Sequence, residues 1–232
     1  MAMKRYAVYY TPPKGTLAEF GATWLGWDVA TGTKRPHPVL ADLPRPPPIS
    51  LSQITRAPRK YGFHGTIKPP FHLAKGNSQS RLANALRVLC KELAPVHTDG
   101  LNLTKLGRYF ALTVTNRPQS LQALASRVVI ELDGFRAPLS AEDLAYRRKA
   151  NLSAHHDALL VAWGYPYVLD AFRFHITLTG ALPHDHADAV FKLLEPIIDG
   201  LPTAPFCLDA LTLVGEDDTG NFCEIDQFRL TG

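Results

Sequence analysis

The predicted order of secondary structure occurs twice in this 232-residue chain, and no other feature constrains the fold as much. Each half reads as strand, helix, long insertion, strand, helix and strand, at an offset of a little over one hundred residues. Solenoid repeats are much shorter, about 20 to 50 residues, so the repetition is not that of an array. It predicts two similar lobes, approximately residues 1–107 and 108–232, that face each other across a cleft.

Hydrophobic periodicity and turn residues locate the elements of both halves. Strands are predicted at 6–10, 62–68, 101–106, 109–115, 172–179, 207–214 and 222–230. Helices are predicted from residue 16, where Thr16 and Glu19 suggest a capping box and Gly26 a C-terminal cap, and at 80–93, 121–132, 140–149, 153–163 and 185–198. The predicted class is α/β (α+β), with mainly antiparallel sheet and flanking helices. Because no Gly/Ser linker lies near residue 107, we expect residues 1–232 to form one bilobed domain.

The stretch from 29 to 60 is rich in proline, which prevents regular helix over most of its length. We expect a long ordered flap that is mostly extended, with at most one turn of helix starting at Ser50.

Composition excludes several classes of protein. With 46% hydrophobic and 20% charged residues the chain is globular, and its longest uncharged stretch, 158–169, is too short to cross a bilayer. Three cysteines without a CxxC pair argue against a disulfide framework or a zinc ribbon. A net charge of +4 suits a small anionic ligand, whereas a duplex DNA surface needs clustered basic runs. The N-terminus reads as a first strand and not as a signal peptide, so we expect a cytoplasmic protein that does not bind membranes. The oligomeric state is left open.

The strongest local signal is a His-x-Thr motif at the same place in each half, in the strand that follows the insertion. The first is His64 with Thr66, and the second is His175 with Thr177. One such tripeptide arises easily by chance, but two at matching positions of a repeat are informative.

Strand geometry places the polar residues of both motifs on one face, since side chains alternate with period two. The candidate set on these faces, which carry no carboxylate, is His64, Thr66, Lys68, Arg173, His175, Thr177 and Thr179. Such a surface suits a phosphodiester. Histidine can act as either acid or base near neutral pH, so we interpret His64 and His175 as the catalytic pair. The threonines, Lys68 and Arg173 are candidate phosphate-binding residues, with strand termination as the alternative for Thr179. This chemistry requires no metal and no cofactor.

These residues resemble the two-histidine (2H) phosphoesterase superfamily, which includes RNA 2′,3′-cyclic phosphodiesterases. The closer similarity is to a bacterial branch found with phosphonate-utilisation genes, in the blocks RYAVYYTPP, FGATWLGWDVATG, KYGFHGTIKPPFHLA and WGYPYVLDAFRFHITLTG. The resemblance implies a two-lobed α/β fold, phosphodiesterase activity, catalytic roles for His64 and His175 and phosphate binding by Thr66 and Thr177. It does not define the substrate. The branch usually has alanine where this chain has Gly65, a difference on the core face of the strand.

Four further residues are candidate contacts for the distal part of a small anionic substrate, such as a cyclic phosphate, a nucleotide or an RNA end. They are Tyr61, Arg147, Arg148 and Tyr167. For the arginines the alternative is a solvated face, and for the tyrosines it is the core.

Two histidine clusters imitate metal motifs. His184, His186 and Asp188 resemble the start of an HxHxD motif, but Ala189 stands where its last histidine belongs, so we interpret the segment as a helix start. His155 and His156 are interpreted as surface residues. The competing functional hypothesis is a non-catalytic protein that binds RNA or a phosphorylated metabolite in the same cleft.

Overall fold

The computed structural model describes residues 3–40 and 50–232. Within those ranges the strands are β1 Tyr6–Tyr10, β2 Trp27–Asp28, β3 Thr33–Lys34, β4 Gly65–Phe71, β5 Val96–Thr98, β6 Leu101–Leu106, β7 Tyr109–Val114, β8 His175–Thr177, β9 Phe206–Leu208, β10 Ala210–Glu216 and β11 Phe222–Arg229. The α-helices are α1 Thr16–Leu25, α2 Leu51–Ile54, α3 Arg56–Arg59, α4 Gln79–Cys90, α5 Gln119–Glu131, α6 Ala141–Arg148, α7 Ala154–Trp163 and α8 Ala187–Asp199. No helix in these ranges is both long enough and apolar enough to span a membrane.

The strands build one large antiparallel sheet with the order β11-β10-β1-β4-β8-β7-β6, which confirms the predicted α+β class. Strands β4 and β8 join a group of four strands to a group of three through the pair Gly65 and Ile176. Each group contains strands from both sides of residue 107. The division into repeat halves 1–107 and 108–232 within a single domain stays a prediction.

One face of the sheet supports the main core. In β1 the side chains of Tyr6, Val8 and Tyr10 pack into it, together with apolar residues of α1, α4, α5 and α8. The alternate residues Ala7 and Tyr9 face the other way, into a small cluster with Phe222. The period of two predicted for the strands is therefore present, and it leaves one face of the sheet available for a site.

Helix caps follow the sequence at α6 and α7, where Ser140 and Ser153 accept a hydrogen bond from a backbone N–H in the first turn. The capping box predicted at Thr16 is wrong, because Thr16 is already helical and Gly15 is the N-cap without a side-chain bond. Gly26 ends α1 in the left-handed conformation, as predicted, with φ of 79°.

The proline-rich segment contains more local structure than the sequence indicates. Near its start β3 pairs with β2 in a two-stranded hairpin, and near its end the chain forms the short helices α2 and α3. Arg59 donates to the Leu25 carbonyl at 2.9 Å, and the Lys60 carbonyl accepts from Phe222 N at 2.7 Å. Residues 41–49, the centre of the predicted flap, lie outside the described ranges.

Candidate active site

The two His-x-Thr motifs lie on adjacent strands in the middle of the sheet. Gly65 pairs with Ile176 in antiparallel register, and both point to the core face. Extending this register by one residue in each direction places His64 opposite Thr177 and Thr66 opposite His175. All four side chains share the other face, where directly opposed Cβ atoms lie about 4.5 to 5.5 Å apart. The motifs therefore form a compact group with local two-fold character.

Both histidines are held in the same way. His64 Nδ1 donates to the Gly62 carbonyl at 2.9 Å, and His175 Nδ1 donates to the Arg173 carbonyl at 2.9 Å. A carbonyl can only accept, so each neutral ring carries its proton on Nδ1 and has a free lone pair on Nε2. His64 Nε2 lies 3.0 Å from Thr66 Oγ1, which donates to it. The Nε2 atoms are thus the reactive nitrogens of the pair.

The electrostatic surroundings keep both imidazoles neutral at pH 7. Burial is the main cause that lowers the pKa of His64 from 6.5 to about 4; the hydrogen bond to the Gly62 carbonyl opposes this shift, and charge on the neighbouring His175 adds to it. Burial also lowers the pKa of His175 below 6.5. Neither histidine has a carboxylate partner among the contacts of the described residues. An anionic ligand would supply the negative charge that stabilises the protonated form.

The site occupies the centre of a polar row that crosses the whole sheet. In register order the row consists of Asn102, Thr113, His175, Thr66, Tyr9, Thr212 and Gln227. Its flanks bond to protein: Thr113 Oγ1 lies 2.7 Å from Thr104 Oγ1, and Gln227 donates to Thr212 at 3.1 Å. The polar groups free to bind a ligand are consequently concentrated at the two motifs.

Aromatic rings fix His64 from one side. The Tyr9 ring stacks on its imidazole with centroids 3.8 Å apart and an interplanar angle of 28°. Tyr61 lies 6.1 Å from the same imidazole and stacks on Phe222. The predicted Tyr61 is therefore beside the site, and Tyr9 is a neighbour that the sequence analysis missed.

A cavity of about 620 Å³ opens next to His175. Thr66, Arg173 and Tyr167, all predicted site residues, line it together with His175. Its other polar lining residues are Tyr109, His156 and Tyr165. The volume falls within the range of small-molecule sites, about 300 to 1,000 Å³.

Lys68 does not reach this site, so its predicted phosphate-binding role is wrong. The side chain is only 2% exposed, and Nζ donates to the Val129 carbonyl at 2.9 Å and lies 3.5 Å from Asp133. The cause is a register shift: Tyr9 pairs with Thr66 but Val8 pairs with Lys68, which leaves one extra residue, Ile67, in β4. Such a bulge breaks the alternation of faces.

Thr179 is a second correction. Regular pairing of β8 ends at Thr177, earlier than the predicted strand end, and Thr179 is fully buried. Its Oγ1 accepts from the backbone N–H of Phe110 at 3.0 Å. The hydroxyl closes the end of the strand and is not available to a phosphate.

The two predicted arginines also lie elsewhere. Arg148 donates twice to Asp157, at 2.7 and 2.8 Å, and so ties α6 to α7. Arg147 lies over the Tyr165 ring at 5.3 Å and lines a different cavity of about 300 Å³ with Arg5 and Arg136. Neither guanidinium lines the cavity at His175.

The histidine clusters separate in space. His184–His186 form a short 3-10 turn that leads into α8, as the helix-start interpretation predicts. His155 pairs with Asp170 at 2.8 Å on the surface. His156, interpreted from sequence as a surface residue, instead lines the cavity at His175. Within the described ranges no group of three His, Cys, Asp or Glu residues is arranged to hold a metal ion.

Sequence signals for the missed residues were weak. Tyr9 belongs to the apolar run YAVYY, which reads as core, and His156 follows a helix cap, where polar residues are common. Tyr109 begins a strand. Only the pairing of strands and the fold of the second insertion bring these side chains to the motifs.

The two His-x-Thr motifs, on which the sequence resemblance to the two-histidine phosphoesterase superfamily rests, meet at the adjacent strands β4 and β8 in the middle of the antiparallel sheet. The chain belongs to the family described as "Protein of unknown function (DUF1045)", whose model matches residues 66–223.

Two curated proteins are similar over nearly the whole chain. One from Janthinobacterium sp. (strain Marseille) is 38% identical over 225 residues, covering 94% of this chain and 49% of that protein. One from Laribacter hongkongensis (strain HLHK9) is 33% identical over 219 residues, covering 93% and 49%. Both are named "Ribose 1,5-bisphosphate phosphokinase PhnN". The chain spans about half the length of these relatives.

Solved structures with a similar chain path include E. coli LigT complexed with 3′-AMP, at 15% identity and a TM-score of 0.44. A protein described as a phosphoesterase aligns at 13% identity with a TM-score of 0.43. Both alignments cover 100% of each chain.

Proposed function

We propose that this protein is a metal-independent phosphodiesterase that hydrolyses a cyclic phosphate or another small phosphodiester. One observation carries the proposal: the pairing of Gly65 with Ile176 places two imidazoles and two hydroxyls on one face, without a carboxylate among the four. Two histidines on one face of adjacent strands, each with its lone pair on Nε2, are suited to act as base and acid in one displacement.

The proposed reaction is a single in-line step. His64, which has the lower pKa, takes a proton from water through Nε2, and the water oxygen attacks phosphorus. The bond from phosphorus to the leaving oxygen breaks, and His175, which the bound anion holds in its doubly protonated form, donates its Nε2 proton to that alkoxide. Thr66 and Thr177 donate to the non-bridging oxygens as charge develops on them. The product is a phosphate monoester, and the proton balance is restored when His64 and His175 exchange protons with solvent.

The substrate class is proposed from the site and the relatives together. Arg173 and Tyr167 line the cavity that holds the part of the substrate beyond the scissile phosphate, and Tyr61 lies beside His64. The relatives of twice the length are named for a kinase that acts on a phosphorylated ribose. We therefore place the reaction among phosphorylated sugars, linked to phosphonate metabolism. We also propose that the enzyme acts in the cytoplasm.

The test is a panel of sugar and nucleoside cyclic phosphates, assayed for the phosphate monoester in the presence of EDTA. We expect turnover of at least one compound, reduced by about 10² to 10⁴ in His64→Gln and in His175→Gln. His97→Gln, at an exposed histidine on β5, is the matched control. Near-normal rates in either site variant, or activity that EDTA removes and zinc restores, would refute the proposal. Tight binding of the panel without any product would instead indicate a binding protein.

A further inference from the structure

The cavity at His175 is larger than the reacting phosphate requires. Thr66 and His175 of the motifs line this cavity of about 620 Å³, together with Tyr165 and Tyr167 from the segment that follows α7. A phosphodiester bound at Thr66 and His175 fills only part of this volume. The remainder of the cavity is therefore available to the part of the substrate beyond the reacting phosphate.

Three phenol groups in this cavity have no hydrogen-bond partner within residues 3–40 and 50–232. They belong to Tyr109, Tyr165 and Tyr167. Burial raises the pKa of both Tyr109 and Tyr165, so these hydroxyls stay protonated and can donate as well as accept. Hydroxyls that no protein group occupies can bond to the hydroxyl groups of a sugar.

Two nitrogen-bearing side chains, Arg173 and His156, line the same cavity. Arg173 precedes β8 by two residues, which places it on the face of His175, and within the described chain no carboxylate lies within 4 Å of its guanidinium. His156 hydrogen-bonds Ser153 Oγ through Nδ1 at 3.0 Å and packs edge-on against Tyr167 at 5.2 Å, which leaves Nε2 free. No Asp or Glu lines the cavity in the described part of the chain. The available charge therefore favours an anion.

We infer that this cavity binds the sugar portion of the substrate and that Arg173 and His156 hold a second phosphate on that sugar. The inference rests on the proposed function and deepens it. The substrate class becomes the cyclic phosphodiester of a phosphorylated sugar, and the selectivity comes from residues outside the His-x-Thr motifs. Arginine is suited to this role because its planar donor group binds phosphate oxygens in pairs.

The test compares two substrates that differ by one phosphate: a pentose 1,2-cyclic phosphate with and without a phosphate on carbon 5. We expect wild-type kcat/KM to be at least tenfold higher for the phosphorylated compound. Arg173→Met and His156→Gln are expected to bring the ratio of the two kcat/KM values toward one. Arg229→Met, at an exposed arginine on the edge strand β11, keeps the wild-type ratio. A wild-type ratio near one, equal losses on both compounds in Arg173→Met, or faster hydrolysis of a nucleoside 2′,3′-cyclic phosphate would overturn the inference.

A binding measurement separates this inference from the proposed function. Calorimetric titration with ribose 5-phosphate needs no turnover, and we expect binding to be about tenfold weaker in Arg173→Met and unchanged in Arg229→Met. Binding through Arg173 without hydrolysis of any diester would contradict the proposed function and support the phosphate site at Arg173 and His156. Hydrolysis of a diester without measurable binding of ribose 5-phosphate to the wild type would contradict the phosphate site at Arg173 and His156 and support the proposed function.

Discussion

At the scale of single residues, the site depends on where each imidazole proton is held. His64 and His175 donate Nδ1–H to the carbonyl two residues earlier in the chain, so local backbone geometry fixes the same tautomer twice. Both rings also lie in surroundings that lower their pKa. The tautomer and the direction of the pKa shift are thus the same for both rings, and the large shift of His64, to about 4, favours it as the base.

The pH dependence follows from these shifts. A neutral His64 base requires pH above its pKa of about 4, so kcat/KM should rise with pH through that value. A protonated His175 acid requires pH below its own lowered pKa, so kcat/KM should fall again before pH 6.5. We expect a bell-shaped profile with its maximum between these limits. Because a bound phosphodiester anion favours protonated histidine, both limbs of the kcat profile should lie at higher pH than the limbs of the kcat/KM profile.

Steady-state assays from pH 3.5 to 9 measure both profiles, with circular dichroism at each pH to show that the fold is intact. A kcat/KM maximum above pH 7.5 would contradict the assignment of two burial-lowered histidines.

The absence of a side chain at Gly65 makes room for the ring of Phe174. A Cβ on Gly65 would lie 2.4 Å from Phe174 Cε2, and that ring is packed against Tyr10 and Phe206. We expect Gly65→Ala to lower the free energy of unfolding by about 1–3 kcal/mol, the usual cost of overpacking. The pair Gly65→Ala and Phe174→Leu should be less destabilised than the sum of the single changes, as measured by urea unfolding in a double-mutant cycle. Additive losses would show that the two positions are independent.

At the scale of elements, β4 shows what alternation alone cannot predict. Its register shifts once between Thr66 and Lys68 and again across Pro69 and Pro70, and the first shift turns Lys68 away from the motif. Proline inside a strand indicates a bulge, so the sequence did indicate that the alternation of faces breaks near Lys68. It did not indicate the direction in which the Lys68 side chain turns. Asp133, which also binds Arg136 at 2.8 Å, gives the Lys68 ammonium its charge partner.

Lys68 should make stability depend on pH in the alkaline range. Burial is the main cause of its lowered pKa, from 10.5 to about 8. Between those values the unfolded chain keeps the proton and the native state has released it, so the free energy of unfolding rises with pH, by at most about 1.4 kcal/mol per unit. We expect wild type to gain stability relative to Lys68→Met between pH 7.5 and 9.5.

Urea unfolding of both proteins at the two pH values tests this, with Lys91→Met, at an exposed lysine, as the control. A difference between wild type and Lys68→Met that does not change with pH would show that Lys68 titrates normally.

At the scale of the whole molecule, the repeat predicted from sequence locates the two His-x-Thr motifs, and antiparallel pairing of β4 and β8 brings them together. Residues inside regular strands were predictable, since alternation alone assigns Phe174 and Ile176 to the core. Arg147, Arg148 and His156 were not, because their positions depend on how α6 and α7 fold over the sheet. Long-range packing of an insertion leaves no periodic pattern in the sequence.

The central claim is that the imidazoles of His64 and His175 act on one phosphorus atom. The most direct measurement is a kinetic double-mutant cycle of His64→Gln, His175→Gln and the double variant on the best substrate of the panel. Groups that act as a unit are strongly non-additive. If both imidazoles act on one phosphorus atom, the double variant should have a kcat/KM within about threefold of that of the slower single variant. Losses that multiply in the double variant, or a single variant close to wild type, would contradict it.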